Sequence, residues 1–175
     1  MRALIDSPAD GYTLMLTANS IAANPALYQP APFDPARDVT PISLVGRVPV
    51  VIAANAASGP DTLGKLIAAS KGKPGSVSYG SPGNGSTPHL AVELFARAAG
   101  IDLLHVPYKG AAPALTDLLG GQIGAVVMSA ASVDPMADAG KLRVLGTFSR
   151  SHLASLGNPP TVAEALKLPG LEVPV

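Results

Sequence analysis

Between residues 48 and 147, short apolar runs alternate with segments of helical period, and this rhythm leaves few folds open. Residues 48–54 form a continuous apolar run, the pattern of a buried strand. Thr62 then caps a helical stripe of Leu63, Leu66 and Ile67 that Gly72 ends. A second strand is expected over 77–80. A helix follows from Pro88 to about Ala98, with Leu90, Leu94, Phe95 and Ala98 on one side and Gly100 as its stop. Strands are expected over 102–106, 123–128 and 142–146. Between them, helices run from near Pro113 to Gly120-Gly121 and over 129–139. The order β-α-β-α-β-α-β-α-β predicts a mainly parallel sheet with helices on both faces.

The flanks lack this rhythm. Residues 12–17 and 40–45 read as strands, 24–28 as a helical turn, 30–35 as a Pro-rich irregular stretch and 161–166 as a short helix. These pieces are too few for a domain of their own. We therefore expect 48–147 to form a complete lobe inserted into a partial one made of 1–47 and 148–175. The exposed apolar surface of such a partial lobe is expected to favour self-association.

Composition excludes several classes of function. Twelve basic residues balance twelve acidic ones and form no cluster, and Trp is absent, so neither a nucleic-acid footprint nor a base-stacking platform is expected. Cysteine is also absent, which removes disulfides, thiolate metal sites and Cys nucleophiles. No apolar run approaches the roughly 20 residues of a membrane span. The first residues, Met1-Arg2-Ala3-Leu4-Ile5-Asp6, carry no apolar core of a signal peptide, and read alone they predict a cytoplasmic chain.

The segment 79–89 joins a strand end to a helix start, where open α/β sheets hold their ligands. Gly80, Gly83 and Gly85 let backbone approach a guest closely. Thr87 is expected as N-cap with Pro88 at N1, and Ser81, Asn84, Ser86 and Thr87 add side-chain donors. Free N–H groups and the positive end of the helix dipole complete an anion cradle. The same residues also describe an ordinary turn around a capped helix. The loop lacks the GK[ST] ending of a P-loop, and its glycines do not follow GxGxxG. With no Lys or Arg in it, a carboxylate suits it better than a polyphosphate. No cofactor is expected.

Other candidates share that sheet edge. Tyr108-Lys109-Gly110 also follows a strand: Lys109 can attract an anion and Tyr108 can wall a pocket, or the three form a plain turn. Met128 ends the next strand and either packs on a ligand or closes the core. Asn19 and Ser20 follow the expected strand over 12–17 and can donate hydrogen bonds or serve only the turn. His89, His105 and His152 form no metal-ligating pattern. His89, in the first turn of the expected helix, either donates as a neutral ring to a ligand or the loop or gives structural support, and His105 is expected to be buried and hydrogen-bonded. A hydrolase would need a nucleophile elbow such as GxSxG, which is missing, so no catalysis is expected.

Successive motifs resemble one known family. They include Asp10-Gly11-Tyr12-Thr13-Leu14, Asn24-Pro25-Ala26-Leu27-Tyr28 and Phe33-Asp34-Pro35-Ala36-Arg37-Asp38. Residues 79–90, His105-Val106-Pro107-Tyr108-Lys109-Gly110, residues 113–122, Gly140-Lys141-Leu142-Arg143 and Pro160-Thr161-Val162-Ala163-Glu164-Ala165 continue the series. The chain resembles the Bug, or TctC-like, solute receptors of tripartite tricarboxylate transporters. The resemblance implies a two-lobed fold like the type II periplasmic binding proteins, with the middle lobe complete and the first lobe incomplete. It implies a periplasmic receptor for small organic acids that works with membrane transporter subunits. It places the carboxylate loop on 81–87 and a weaker first-lobe contact on Asn19 and Ser20. Two departures matter: the family's opening PFPAGG-type loop is absent from this sequence, and Met128 stands where many relatives carry an acidic residue. A receptor fragment without ligand binding and a small hydrolase are the alternatives.

Overall fold

A computed structural model describes residues 1–168, so the end of the expected partial lobe, 169–175, lies outside the described residues. The chain divides into two compact units, 1–46 and a second beginning at Arg47. The first unit holds helical turn α1 (Arg2–Ile5), a 3-10 turn (Asn19–Ala22) and α2 (Asn24–Leu27). Residues 12–18 and 39–49 form no strand, against expectation. A strand is completed by its ladder, and no β-ladder includes these segments among the described residues. Their large side chains stay in solvent, with Tyr12 92%, Leu16 80% and Val45 77% exposed.

The second unit follows the predicted rhythm closely. Its elements are β1 (Val50–Asn55), α3 (Leu63–Ser70), β2 (Ser78–Ser81), α4 (Thr87–Ala99), β3 (Leu104–Pro107), α5 (Ala111–Leu119), β4 (Ala125–Ser129), α6 (Ala130–Asp138), β5 (Leu142–Thr147) and α7 (Val162–Leu166). The strands form one sheet in the order β3-β2-β4-β1-β5. β2 pairs in parallel with β3 and β4, whereas β1 is antiparallel to both β4 and β5. Four strands thus share a direction and β1 opposes them, which corrects the mainly parallel expectation to a mixed sheet. An apolar run reads the same in either direction, so the pattern of β1 carries no signal of its orientation.

The central strands are covered on both faces. Val50, Ile52 and Ala54 of β1 join Ala125 and Val127 of β4 under Leu63, Leu66, Val92 and Phe95. Val51 and Ala53 join Val126 and Met128 under Ala114, Leu118 and Val133. Alternate residues therefore feed two apolar layers, and this two-sided demand is why the runs are continuous. At Gly80 the layer closes against backbone: a Cβ there would stand 2.8 Å from Ile123 Cδ1 and 3.0 Å from Tyr108 Cε2.

The segment after β5, expected with the first lobe, packs on the second unit. Phe148 is 1% exposed and meets Phe95 edge-on with ring centroids 6.3 Å apart. Thr161 bridges to Thr147, and a capping box between Thr161 and Glu164 starts α7, whose Val162 enters the same apolar layer. Phe148→Ala is expected to destabilise the second unit by about 3–5 kcal/mol, measured by chemical denaturation. A change below about 1 kcal/mol would return this segment to the other unit.

Candidate functional site

The parallel arrangement brings three strand ends to one edge of the sheet. Ser81 pairs with Pro107 and Tyr79 with Ala125, so the segments after β2, β3 and β4 emerge together. Val50, at the start of the reversed strand β1, lies opposite Ser129 at that edge.

The loop after β2 is tightly built. Gly83 and Gly85 hold φ of 140° and 71°, values that favour glycine. Ser86, with extended backbone, is the N-cap of α4 and accepts from the His89 N–H at 3.4 Å. This corrects the expected cap by one residue: Thr87 and Pro88 occupy the first helical positions. The Ser86 hydroxyl also donates to the Gly83 carbonyl at 2.7 Å. Asn84 is exposed at the tip, Thr87 is half-buried, and Gly85 is buried.

Ser81 lies under the loop and has no exposed surface. Its Oγ is 2.7 Å from His105 Nε2 and accepts from the Gly83 N–H at 3.2 Å. It thus fixes the loop from inside and does not present its hydroxyl outward. The Ser81–His105 distance is that of a nucleophile and its base, but a substrate cannot reach a hydroxyl covered in this way.

His105 belongs to a column of rings that the sequence reading missed. Tyr79 and His105, cross-strand partners, stack at 4.9 Å, and His89 stacks on His105 at 4.2 Å. The Gly85 N–H donates to His89 Nδ1 at 3.2 Å. Glu93, one turn along α4, accepts from the Tyr79 hydroxyl at 3.0 Å and lies 3.8 Å from His89 Nε2. The only sequence signal for this column was the i, i+4 spacing of His89 and Glu93 on a helix beginning at the loop. Burial pushes His105 below the ordinary imidazole range and the neighbouring His89 adds to this, while Glu93 acts in the opposite sense. Burial and then Glu93 raise the Tyr79 phenol far above its usual value.

The other expected residues divide. Tyr108 belongs to the site's frame: its N–H donates to the Ser81 carbonyl at 3.0 Å and its hydroxyl to Asp117 at 2.7 Å. Burial, then Asp117, pushes its phenol up to about 12. Met128 is fully buried in the layer that also holds Val51 and Val133. It closes the core, which corrects its assignment as a ligand contact. Asn19 and Ser20 stand in the 3-10 turn of the first unit. Neither of two surface concavities, of about 400 and 610 Å³, is lined by the 81–87 loop: one is lined by α6 and β5, the other by α4, Glu93 included, and the approach to β3.

The comparisons with known proteins decide the family. The description "Tripartite tricarboxylate transporter family receptor" matches residues 1–175. The chain belongs to this family of solute-binding receptors. It is 38% identical to BugT of Bordetella pertussis over 160 residues, 90% of this chain and 49% of that protein. It superposes on the R. palustris protein Rpa4515, solved with adipate, with a TM-score of 0.87 and 34% identity, covering 97% of this chain and 57% of the other. MatC of Rhodopseudomonas palustris, solved with bound malate, gives 0.74 and 25% identity, covering 85% and 50%. The chain therefore spans about half the length of the relatives it matches.

The folded chain keeps His105 neutral in conditions where the unfolded chain would protonate it. Its contribution to stability is therefore complete above the ordinary imidazole value and is lost as the pH falls from about 6.5 through the lower folded value. Urea titrations at about pH 7.5 and about pH 5 are expected to show a smaller acid loss for His105→Asn than for the wild type. Equal losses would mean that His105 carries no such linkage.

Proposed function

We propose that this chain supplies the ligand-binding second lobe, and part of the first, of a periplasmic receptor for small organic acids, dicarboxylates among them. The observation that carries the reading is the 81–87 loop. A capped helix start, two glycines with positive φ and exposed Asn84 meet there at the common edge of parallel strands. Backbone N–H groups at a helix N-terminus suit a carboxylate. The solved relatives with adipate and malate support the class of guest.

In this reading residues 48–147 form the second lobe and 1–47 contribute to the first. Asn84 and Thr87 face the ligand's carboxylate, and Ser81, Ser86, Tyr108 and the glycine backbone at 83 and 85 hold that surface in place. The loaded receptor is what membrane subunits of a tripartite transporter receive. No step of this role requires catalysis or a cofactor.

The test is calorimetry on the protein extended to the length of its relatives, titrated with malate, succinate and adipate, and with a sugar and a basic amino acid as controls. Binding is expected for the diacids alone. Asn84→Ala with Thr87→Ala is expected to weaken it by about 3 kcal/mol, roughly a hundredfold, because hydrogen bonds to a charged group are lost. Undiminished affinity in the double variant would remove the loop from the site.

A further inference from the structure

Two imidazoles brace the 81–89 segment from below, and each is tied to a different glycine. His89 accepts the Gly85 N–H on Nδ1 at 3.2 Å. An acceptor at Nδ1 leaves the ring's own proton on Nε2, on the side of Glu93 Oε1 at 3.8 Å. His105 acts through Ser81, whose hydroxyl contacts Nε2 at 2.7 Å and takes the Gly83 N–H at 3.2 Å. The rings stack at 4.2 Å and 25°. Gly83 and Gly85, the two residues whose peptide orientations shape the loop, thus depend on one acceptor nitrogen and one imidazole-bound hydroxyl.

We infer that His89 and His105 are positioning residues for the carboxylate loop, with the neutral form of His89 holding the Gly85 peptide in its ligand-ready orientation. This rests on the carboxylate reading above. A second proton on His89 would set an N–H at Nδ1 against the Gly85 N–H, donor against donor, and the peptide would have to turn away. The titratable groups facing His89 are His105 from β3 and Glu93 from α4, with Tyr79 of β2 reached through Glu93. A charge on His89 would lie against the ring of His105, which burial disfavours from carrying a charge of its own. Glu93 does not offset this at full strength, because it also accepts the Tyr79 hydroxyl. A second proton on His89 would therefore release the loop at its centre.

The test has two arms. Long-range proton–nitrogen NMR on the 175-residue chain is expected to show His89 as the Nε2–H tautomer, with the Gly85 amide resonance moving in step with the His89 ring as the pH falls. An Nδ1–H tautomer, or a Gly85 amide that ignores the ring, overturns the inference. The second arm is adipate and malate calorimetry on the extended protein at about pH 7.5 and about pH 5, the range in which imidazoles titrate. Wild type is expected to lose roughly fivefold more affinity than His89→Asn across that range, one neutral hydrogen bond's worth. Asn keeps an acceptor near the Nδ1 position and does not titrate, and the ligand's own protonation is common to both proteins. His89→Phe keeps a ring without an acceptor and is expected to bind weakly at both pH values. Wild-type affinity in a folded His89→Phe, or identical pH profiles for wild type and His89→Asn, overturns the proposal. Should neither diacid bind wild type at any pH, the carboxylate reading falls, and the NMR arm alone decides whether His89 positions the loop.

Discussion

The second unit depends on burying β1 and β4 on both faces. Each residue of these strands must satisfy one of two apolar layers, and neither layer can lose its helices without exposing the other strand's alternate side chains. This demand makes the sheet a rigid plate. The strand ends then share an edge because the pairings of β2 with β3 and β4 are fixed in register, so the loops that follow them are carried to a common place. Placing adaptable loops on an over-determined plate is how open α/β sheets build ligand sites.

A second tier sits between plate and loop. Ser81, His105, His89 and Glu93 form a polar column on an otherwise apolar frame, with Tyr79 as its base. Buried polar groups are costly unless paired. In this column the pairing is directed at the backbone of Gly83 and Gly85, so the energy that satisfies the side chains also selects the loop's conformation. The neighbouring turn adds its own ties, from the Tyr108 N–H to Ser81 and from its hydroxyl to Asp117.

Much of this was legible in the sequence. The lengths of the apolar runs, Thr62 and Gly100 as helix punctuation, and the glycine spacing at 80, 83 and 85 all carry local physics that the fold obeys. The direction of β1 was not legible, because periodicity is blind to polarity along the chain. The strands expected over 12–17 and 40–45 failed for the opposite reason. Their local pattern is strand-like, but a ladder is a long-range object and these segments join none among the described residues. The inward turn of Ser81 was hidden because its partner, His105, is far away in sequence. The core role of Met128 was already one of its two readings, and the register opposite Val51 selects it.

The position of β3 at the end of the strand order has one more consequence. Among the described residues it is held by a single neighbour, β2, whereas β2, β4 and β1 each have two. Edge strands open locally at lower free energy than the strands inside them. His105 rides on this edge strand, and its contact with Ser81 is lost whenever β3 frays. The precision of the loop is therefore bounded by the opening equilibrium of an edge strand and not by the stability of the plate as a whole. Anything that lengthens the lifetime of β3 pairing would sharpen the loop without touching it.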